Sequence, residues 1–343
     1  MSGTSLDGID VAEIHFSLSN GGTWNFEMLA STTTEYSSAW RKKLQKAVLL
    51  SNDQIEALDI EYTHYLSEVI LDFIKKHQIE NLDAICSHGH TVMHQPENGI
   101  TVQIGNLPIL SKLLSQRVVC NFRVQDVLLG GQGAPLVPMG DALLFGEYTY
   151  CLNLGGFANI SSEIEGKRIA YDICPVNIVL NMYAESLGFS YDDKGSIAAS
   201  GTLNLELLRK LNDLSFYSET APKSLGLEWV IKWMLPILDA SKISHQDKLR
   251  TTVEHIAIQL SAQIETGSKV LVTGGGVYND FLMSRLQSLG DIELIRPSRK
   301  LIDYKEALIF GLLGVLKLRG SINCLGSVTG ARNDHSSGNI FLG

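Results

Sequence analysis

Proline is scarce in this chain, 8 among 343 residues, and no Pro/Ser-rich linker divides it. The two domains that such a length implies, at ~150 residues each, are therefore not strung on a flexible connector. Cysteine is sparse too. Cys86, Cys120, Cys151, Cys174 and Cys324 are odd in number and include no C-x-x-C, which excludes a disulfide framework and fits reduced, cytosolic usage. Long apolar runs are missing: the longest, Ala307 to Leu316, is half of the ~20 residues that cross a bilayer. The first ten residues carry two aspartates and no apolar run, so neither a signal peptide nor a membrane partner is expected. Positive charge is in deficit, with a net charge of -9, which argues against a nucleic-acid partner. Glycine, by contrast, is plentiful at 31 residues and gathers in polar turns.

Helical periodicity marks 55–79, 177–187, 227–239, 245–264 and 303–318. Between these lie short β-rich runs at 84–87, 100–104, 118–122, 148–154, 168–173, 269–273 and 292–295. Strands alternating with helices in both halves give an α/β class. The turn-rich segment Leu129–Pro138 is the best boundary between the halves, and the Gly/Ser/Asn-rich tail from Ser321 reads as loop.

Three glycine turns have the composition that cradles phosphate. Met1-Ser-Gly-Thr-Ser-Leu-Asp-Gly-Ile-Asp10 runs into a strand at Val11–Phe16, and its glycines and hydroxyls suit phosphate oxygens, although an ordinary hairpin turn has the same composition. Cys151-Leu-Asn-Leu-Gly-Gly-Phe-Ala-Asn-Ile-Ser-Ser162 echoes it in the second half. Lys269-Val-Leu-Val-Thr-Gly-Gly-Gly-Val-Tyr-Asn-Asp280 is strand, glycine turn and a helix opening at Asn279 or Asp280, the way α/β proteins seat a nucleotide.

Asp172 closes the run Arg168–Asp172 ahead of a helix, where a carboxylate serves either as a general base or as a helix cap. Arg123 and Asp126 suit a polar substrate or a structural ion pair. His90 and His94 have i, i+4 spacing, but Gly89, Thr91, Val92 and Pro96 oppose a helix, so a ligand-binding loop is expected there and no metal site. Lys223 lies in a polar loop. Gly311 and Gly314, in an otherwise apolar helix, fit either a contact between domains or simple core packing.

Taken together, these segments resemble the anhydro-N-acetylmuramic acid kinases of the actin, hexokinase and heat-shock chaperone ATPase superfamily. Carrying the resemblance are the opening ten residues, Ser87–Thr91, Thr101–Gly105, Asn121–Asp126, Gly130–Leu136, Leu152–Ser161, Pro222–Ser224, Thr273–Gly276, Glu306–Ala307 and Ser327–Ala331. It implies two ribonuclease-H-like domains around a central nucleotide and substrate cleft, residues 1–141 with 303–343, and 142–302. It further implies a cytoplasmic, ATP- and Mg²⁺-dependent kinase of cell-wall recycling that opens the 1,6-anhydro ring of an amino sugar and phosphorylates it, assembled as a homodimer. ATP contacts would come from Gly3, Thr4, Ser5, Leu6, Asp7, Gly8, Ile9 and Asp10, from Asn153, Gly155 and Gly156, and from Gly274, Gly275 and Gly276. Asp172 would be the catalytic base; Thr91, Arg123, Asp126, Asn159 and Glu306 would meet the sugar.

Three departures from the family pattern stand out. Asp172-Ile-Cys-Pro-Val-Asn177 replaces an Asp-Thr-Gly-Pro-Gly-Asn-like run, His90 stands where glutamine is common, and relatives carry a strand ahead of Met-Ser-Gly-Thr. Competing functions on the same scaffold are another sugar or small-acid kinase, a nucleotide-driven switch protein, and a metal-dependent carbamoyl-transfer protein resting on His90 and His94.

Overall fold

The computed structural model describes residues 1–3 and 6–343; Thr4 and Ser5, both expected at the nucleotide, lie outside the described residues. The chain divides into two compact units, Met1–Leu144 with Tyr304–Gly343, and Phe145–Asp303. The second division falls inside the Arg299–Leu318 helix, at Tyr304, whose φ of -119° and ψ of 16° interrupt the helical backbone.

In the second unit Tyr150–Leu154, Phe157–Ile164 and Lys167–Pro175 form an antiparallel meander. Its turns are short, and in one of them Glu165 and Gly166 both have positive φ, the twist a two-residue hairpin needs. Lys269–Thr273 then pairs parallel with Tyr150–Leu154, and Glu293–Ile295 parallel with Lys269–Thr273. Parallel neighbours require crossovers, and helices supply them. The helix His245–Ser261 is buried over most of its length, its Val253, Ile256 and Leu260 sharing one core with Leu152, Ile173 and Val270. A meander extended by parallel strands with helical cover is the mixed α/β arrangement expected from the sequence.

The first unit is built around the hairpin of Gly8–Leu18 and Trp24–Glu35. Ile85–Cys86 pairs parallel with Val118–Cys120, and His90–Gln95 pairs antiparallel with Ile100–Ile104. Asn52–His77, opened by a capping box between Ser51 and Gln54, buries Ile55, Leu58, Tyr62, Leu66 and Ile70. Gly314 approaches Cys86 so closely that no Cβ fits, and a Cβ on Gly311 would lie 3.3 Å from the Phe16 ring. Both glycines therefore serve packing inside this unit.

Two expectations need correction. The histidine-rich segment is a strand, His90–Gln95, because β-branched Thr91 and Val92 suit an extended backbone. The tail is not all loop: Gly326–Thr329 forms a helical turn, and Asn339–Phe341 pairs antiparallel with Val118–Cys120. Three residues are too few to show a period. No helix among the described residues is long and apolar enough to cross a membrane.

Candidate active site

Register explains how the second unit assembles its polar row. Asn153 lies opposite Thr273 on one side and Asn159 on the other, and Asn159 lies opposite Asp172. Residues opposite one another across strands share a face, so Thr273, Asn153, Asn159 and Asp172 form a line across four strands. A bulge beside Asn159 keeps the last pair in register.

Asp172 is held rather than free. Its Oδ2 accepts the Leu225 N–H at 2.9 Å and the Ser224 hydroxyl at 3.3 Å, and its own N–H donates to the Lys223 carbonyl at 2.9 Å. Oδ1 accepts no hydrogen bond from the described residues. Partial burial raises the carboxyl above its ordinary range, against the opposing pull of the Leu225 and Ser224 donors. The result is a carboxylate with one oxygen anchored, the other open, and enhanced basicity. Helix capping, its alternative role, is absent: the helix Asn177–Glu185 has Val176 at its cap, and the Asn177 side chain donates to the Leu154 carbonyl at 3.2 Å.

Lys223, beside this base, does not point to it. Its ammonium donates to the Phe216 carbonyl at 2.8 Å and sits 4.5 Å above the Phe216 ring, and burial lowers its pKa.

The glycine turn closes against the same strand end. Gly274 has φ of 82° and ψ of 162°, and a Cβ there would come within 2.7 Å of the Asn153 side chain and the Leu154 backbone. Such a backbone is confined to glycine. A Cβ on Gly276 would strike Leu154, whereas Gly275 has nothing nearer than Asn177 at 3.8 Å. The outer two glycines thus let the turn pack, and the middle one presents bare backbone. A 3-10 turn, Gly275–Tyr278, then leads to the helix Asp280–Leu289, capped by the Asn279 side chain accepting from Leu282 N–H at 2.9 Å. Gly155 N–H bonds the Phe157 carbonyl, while the Gly155 and Gly156 carbonyls receive the Asn177 and Val176 N–H groups.

The first unit holds a separate charged cluster. Arg123 donates through Nε to His88 Nε2 at 2.9 Å and through Nη1 to the Gly133 carbonyl at 2.7 Å. Burial lowers the guanidinium to about 10, partly offset by Glu306. Glu306 is exposed to solvent yet crowded by protein on its other sides; that crowding raises its pKa, with Arg123 lowering it and Asp10 raising it. Asp10 Oδ1 accepts the Thr33 hydroxyl at 2.6 Å. His88 is held neutral by burial and by Arg123, so its Nε2 accepts the arginine's hydrogen bond without charge conflict.

The other residues expected at a ligand differ in how far the protein itself engages them. Asp126 is wholly buried: Oδ2 accepts Gly133 N–H at 2.7 Å, and Oδ1 accepts the Thr329 hydroxyl at 2.7 Å and the Cys324 thiol at 3.1 Å. It braces the glycine-rich loop that Arg123 also grips. Gly8 and Ile9 are buried in the strand, while Gly3, Leu6, Asp7 and Asp10 keep some exposure. Thr91 is half-buried, opposite Gln103. His90 Nδ1 is hydrogen-bonded to Ser2 and His94 Nδ1 to Thr101, and burial drops His90 to about 4. His88, which meets Arg123, and Ser224, which meets Asp172, lie in segments that carry the family resemblance, Ser87–Thr91 and Pro222–Ser224, but neither is marked by its own local pattern.

The family model described as "Anhydro-N-acetylmuramic acid kinase" matches residues 1–343. The chain belongs to this family. Curated anhydro-N-acetylmuramic acid kinases similar to it include that of Pasteurella multocida, 34% identical over 99% of this chain and 95% of the relative. Those of Pseudomonas fluorescens, at 33% over 99% and 98%, and Vibrio vulnificus, at 31% over 99% and 96%, are comparable. Among solved structures, a putative N-acetylmannosamine kinase from Listeria monocytogenes aligns with 83% of this chain and 91% of its own at a TM-score of 0.33 and 12% identity. As a member of an anhydro-N-acetylmuramic acid kinase family, the chain is an enzyme, a kinase that uses ATP.

Proposed function

We propose that this enzyme joins hydrolysis to phosphoryl transfer. Water adds to the anomeric carbon of 1,6-anhydro-N-acetylmuramic acid, the 6-oxygen is released, and that oxygen takes the γ-phosphoryl group of ATP, giving N-acetylmuramic acid 6-phosphate and ADP for cell-wall recycling. The observation that carries this reading is Asp172, with Oδ2 anchored by Leu225 and Ser224 and Oδ1 open. Oδ1 takes the proton from the attacking water as its oxygen bonds to the anomeric carbon, and the electron pair of the cleaved C–O bond stays on the 6-oxygen, which becomes the nucleophile. An ordinary sugar kinase needs a base only for a hydroxyl and incorporates no water.

The middle glycine of the 274–276 turn, with Asn153 and the Gly155–Gly156 backbone, is the proposed nucleotide seat, since bare backbone admits a flat ligand. Asn159, exposed beside Asp172, is the proposed sugar contact there; Arg123 and Thr91 are assigned the same role in the first unit. Mg²⁺ is assigned to Asp10 and Glu306, two carboxylates of the first unit whose like charges oppose each other; burial is the main cause that raises Glu306, Asp10 adds to it, and a hard divalent cation would relieve both. When bound, the ion would neutralise phosphate charge. Cytosolic residence and a homodimer complete the proposal. Mass spectrometry of product formed in oxygen-18 water tests it: one heavy oxygen in a ring-opened phosphosugar supports the coupled reaction, and an unlabelled phosphosugar refutes it.

A further inference from the structure

Within the first unit, the tail brings a cysteine and a histidine up to a buried aspartate. Cys324 and His335 face each other across an antiparallel bridge, the N–H of each donating to the carbonyl of the other at 3.1 Å. Asn323 holds that closure: its side chain donates to the Leu313 and Ser337 carbonyls and accepts the Ser337 N–H at 2.7 Å. Further bonds tie the tail to the glycine-rich loop, from Gln132 N–H to the Thr329 carbonyl at 2.8 Å and from Arg332 N–H to the Leu129 carbonyl at 3.2 Å. Asp126, Cys324 and His335 are all buried, and one side-chain heteroatom of each lies within 4.8 Å of the other two.

His335 shows that a cation belongs among them. Its Nδ1 is 3.1 Å from the Asn333 carbonyl, which only accepts, so Nδ1 carries the hydrogen and Nε2 of the neutral ring is a bare lone pair. Nε2 has no hydrogen-bond partner among the described residues and stands 3.6 Å from Asp126 Oδ1. Two acceptors that face each other out of water repel unless a positive charge lies between them. An imidazole whose far N–H is fixed by a backbone carbonyl is also the usual form of a metal-binding histidine. The spacing agrees. Metal–ligand bonds of ~2.0–2.3 Å at tetrahedral angles set ligand atoms ~3.3–3.7 Å apart, and Asp126 Oδ1 is 3.6 Å from Nε2 and 3.1 Å from the Cys324 sulfur.

We propose that Asp126, Cys324 and His335 form a Zn²⁺ site, a structural clasp between the tail and the glycine-rich loop. On binding, the Cys324 proton that now meets Asp126 Oδ1 leaves to solvent, the sulfur and the carboxylate each bring one negative charge to the ion, and Nε2 gives its lone pair. The buried site is then neutral. Oδ1 keeps the Thr329 hydroxyl on its other lone pair, and a fourth position is left to water. Thiolate and imidazole select Zn²⁺ over Mg²⁺, which takes oxygen ligands in octahedral geometry. A proton on Nε2 is the other cation that fits, and the test separates the two. None of the three residues acts in the reaction proposed above, so the site and the reaction stand or fall separately.

The full chain is stripped with a chelator, reloaded with Zn²⁺, freed of loose metal by desalting, and assayed for metal by plasma mass spectrometry beside Cys324→Ala and His335→Gln. The parent should retain about one Zn²⁺ per chain, and each variant should bind it at least ~10-fold more weakly. Zn²⁺ at about 100 times its dissociation constant should raise the parent's thermal midpoint by about 5 °C or more. Where a variant does not fold, Co²⁺ in the parent decides, a thiolate-to-cobalt absorption band supporting the site and bound Co²⁺ without that band refuting it. A parent that retains no Zn²⁺ and whose midpoint ignores both metal and chelator overturns the proposal and leaves the proton on His335. Zn²⁺ binding undiminished in both variants overturns it as well.

Discussion

Replacing Asp172 with asparagine isolates basicity from architecture. Asparagine keeps an oxygen to accept from Leu225 N–H and the Ser224 hydroxyl, the bonds that hold the Asp172 side chain to the 223–225 loop. What disappears is the proton acceptor. General-base catalysis contributes ~10²–10⁴-fold, which corresponds to about 2.7–5.4 kcal/mol of barrier. We expect Asp172→Asn to lower kcat by that factor, measured as ADP release with the anhydro sugar, while KM for Mg-ATP changes less than ~3-fold. Stability supplies an internal control. The Asp172 pKa is raised in the folded state, so its ionised form is disfavoured by folding: the penalty is absent below the unfolded value of ~3.9 and complete above the folded one. The variant should therefore be as stable as the parent, or slightly more so, at pH 7, and should lose that advantage in acid. The acid limb of kcat/KM in the parent should lie above the ordinary aspartate range, and Ser224→Ala, which removes one donor from the carboxylate, should move it higher still. An asparagine variant that retains kcat within tenfold of the parent and still incorporates heavy oxygen would refute the assignment of the base.

Other outcomes follow from single contacts. Gly274→Ala forces a Cβ to within 2.7 Å of Asn153 and Leu154 in a glycine-only backbone conformation, so it should cost ~1–3 kcal/mol in denaturant unfolding. It should also weaken ATP binding at least ~10-fold by calorimetry, the effect of a displaced turn. Glu254, buried, accepts three hydrogen bonds from Arg250 and Arg285 at 2.8 Å; Glu254→Gln should cost ~3–5 kcal/mol at pH 7 by leaving both guanidinium groups short of a counter-charge. Its folded pKa is lowered, so this stabilisation is present above the unfolded value of ~4.3 and fades as pH falls through the folded value, where the two proteins should converge in thermal midpoint. Glu306→Gln removes one of two repelling carboxylates and should raise the Mg²⁺ concentration for half-maximal activity at least ~5-fold, with the thermal midpoint unchanged or raised.

What the sequence discloses depends on how far apart the partners lie. The helices Asn52–His77 and His245–Ser261 announce themselves through local periodicity, and the Asn279 cap through its place after a glycine turn. Ile85–Cys86 and Asn339–Phe341 are strands because Val118–Cys120 lies between them, a relation that no window of either segment contains. The site divides in the same way. Asp172 is visible as a carboxylate at a strand end, but the open Oδ1 follows from anchors 52 and 53 residues away, and the line Asn153–Asn159–Asp172 exists only once three strands are in register. A motif also names residues without sorting them. Asp126 and Arg123 stand three residues apart in one signature, yet Asp126 is wholly buried beneath Gly133 and Thr329 while Arg123, gripping the same loop, is half-buried. Burial does the sorting. A polar side chain whose every oxygen is already filled by protein donors shapes a site, whereas one with an oxygen that accepts nothing from the described residues, as Asp172 has, is the one proposed to act on what enters it.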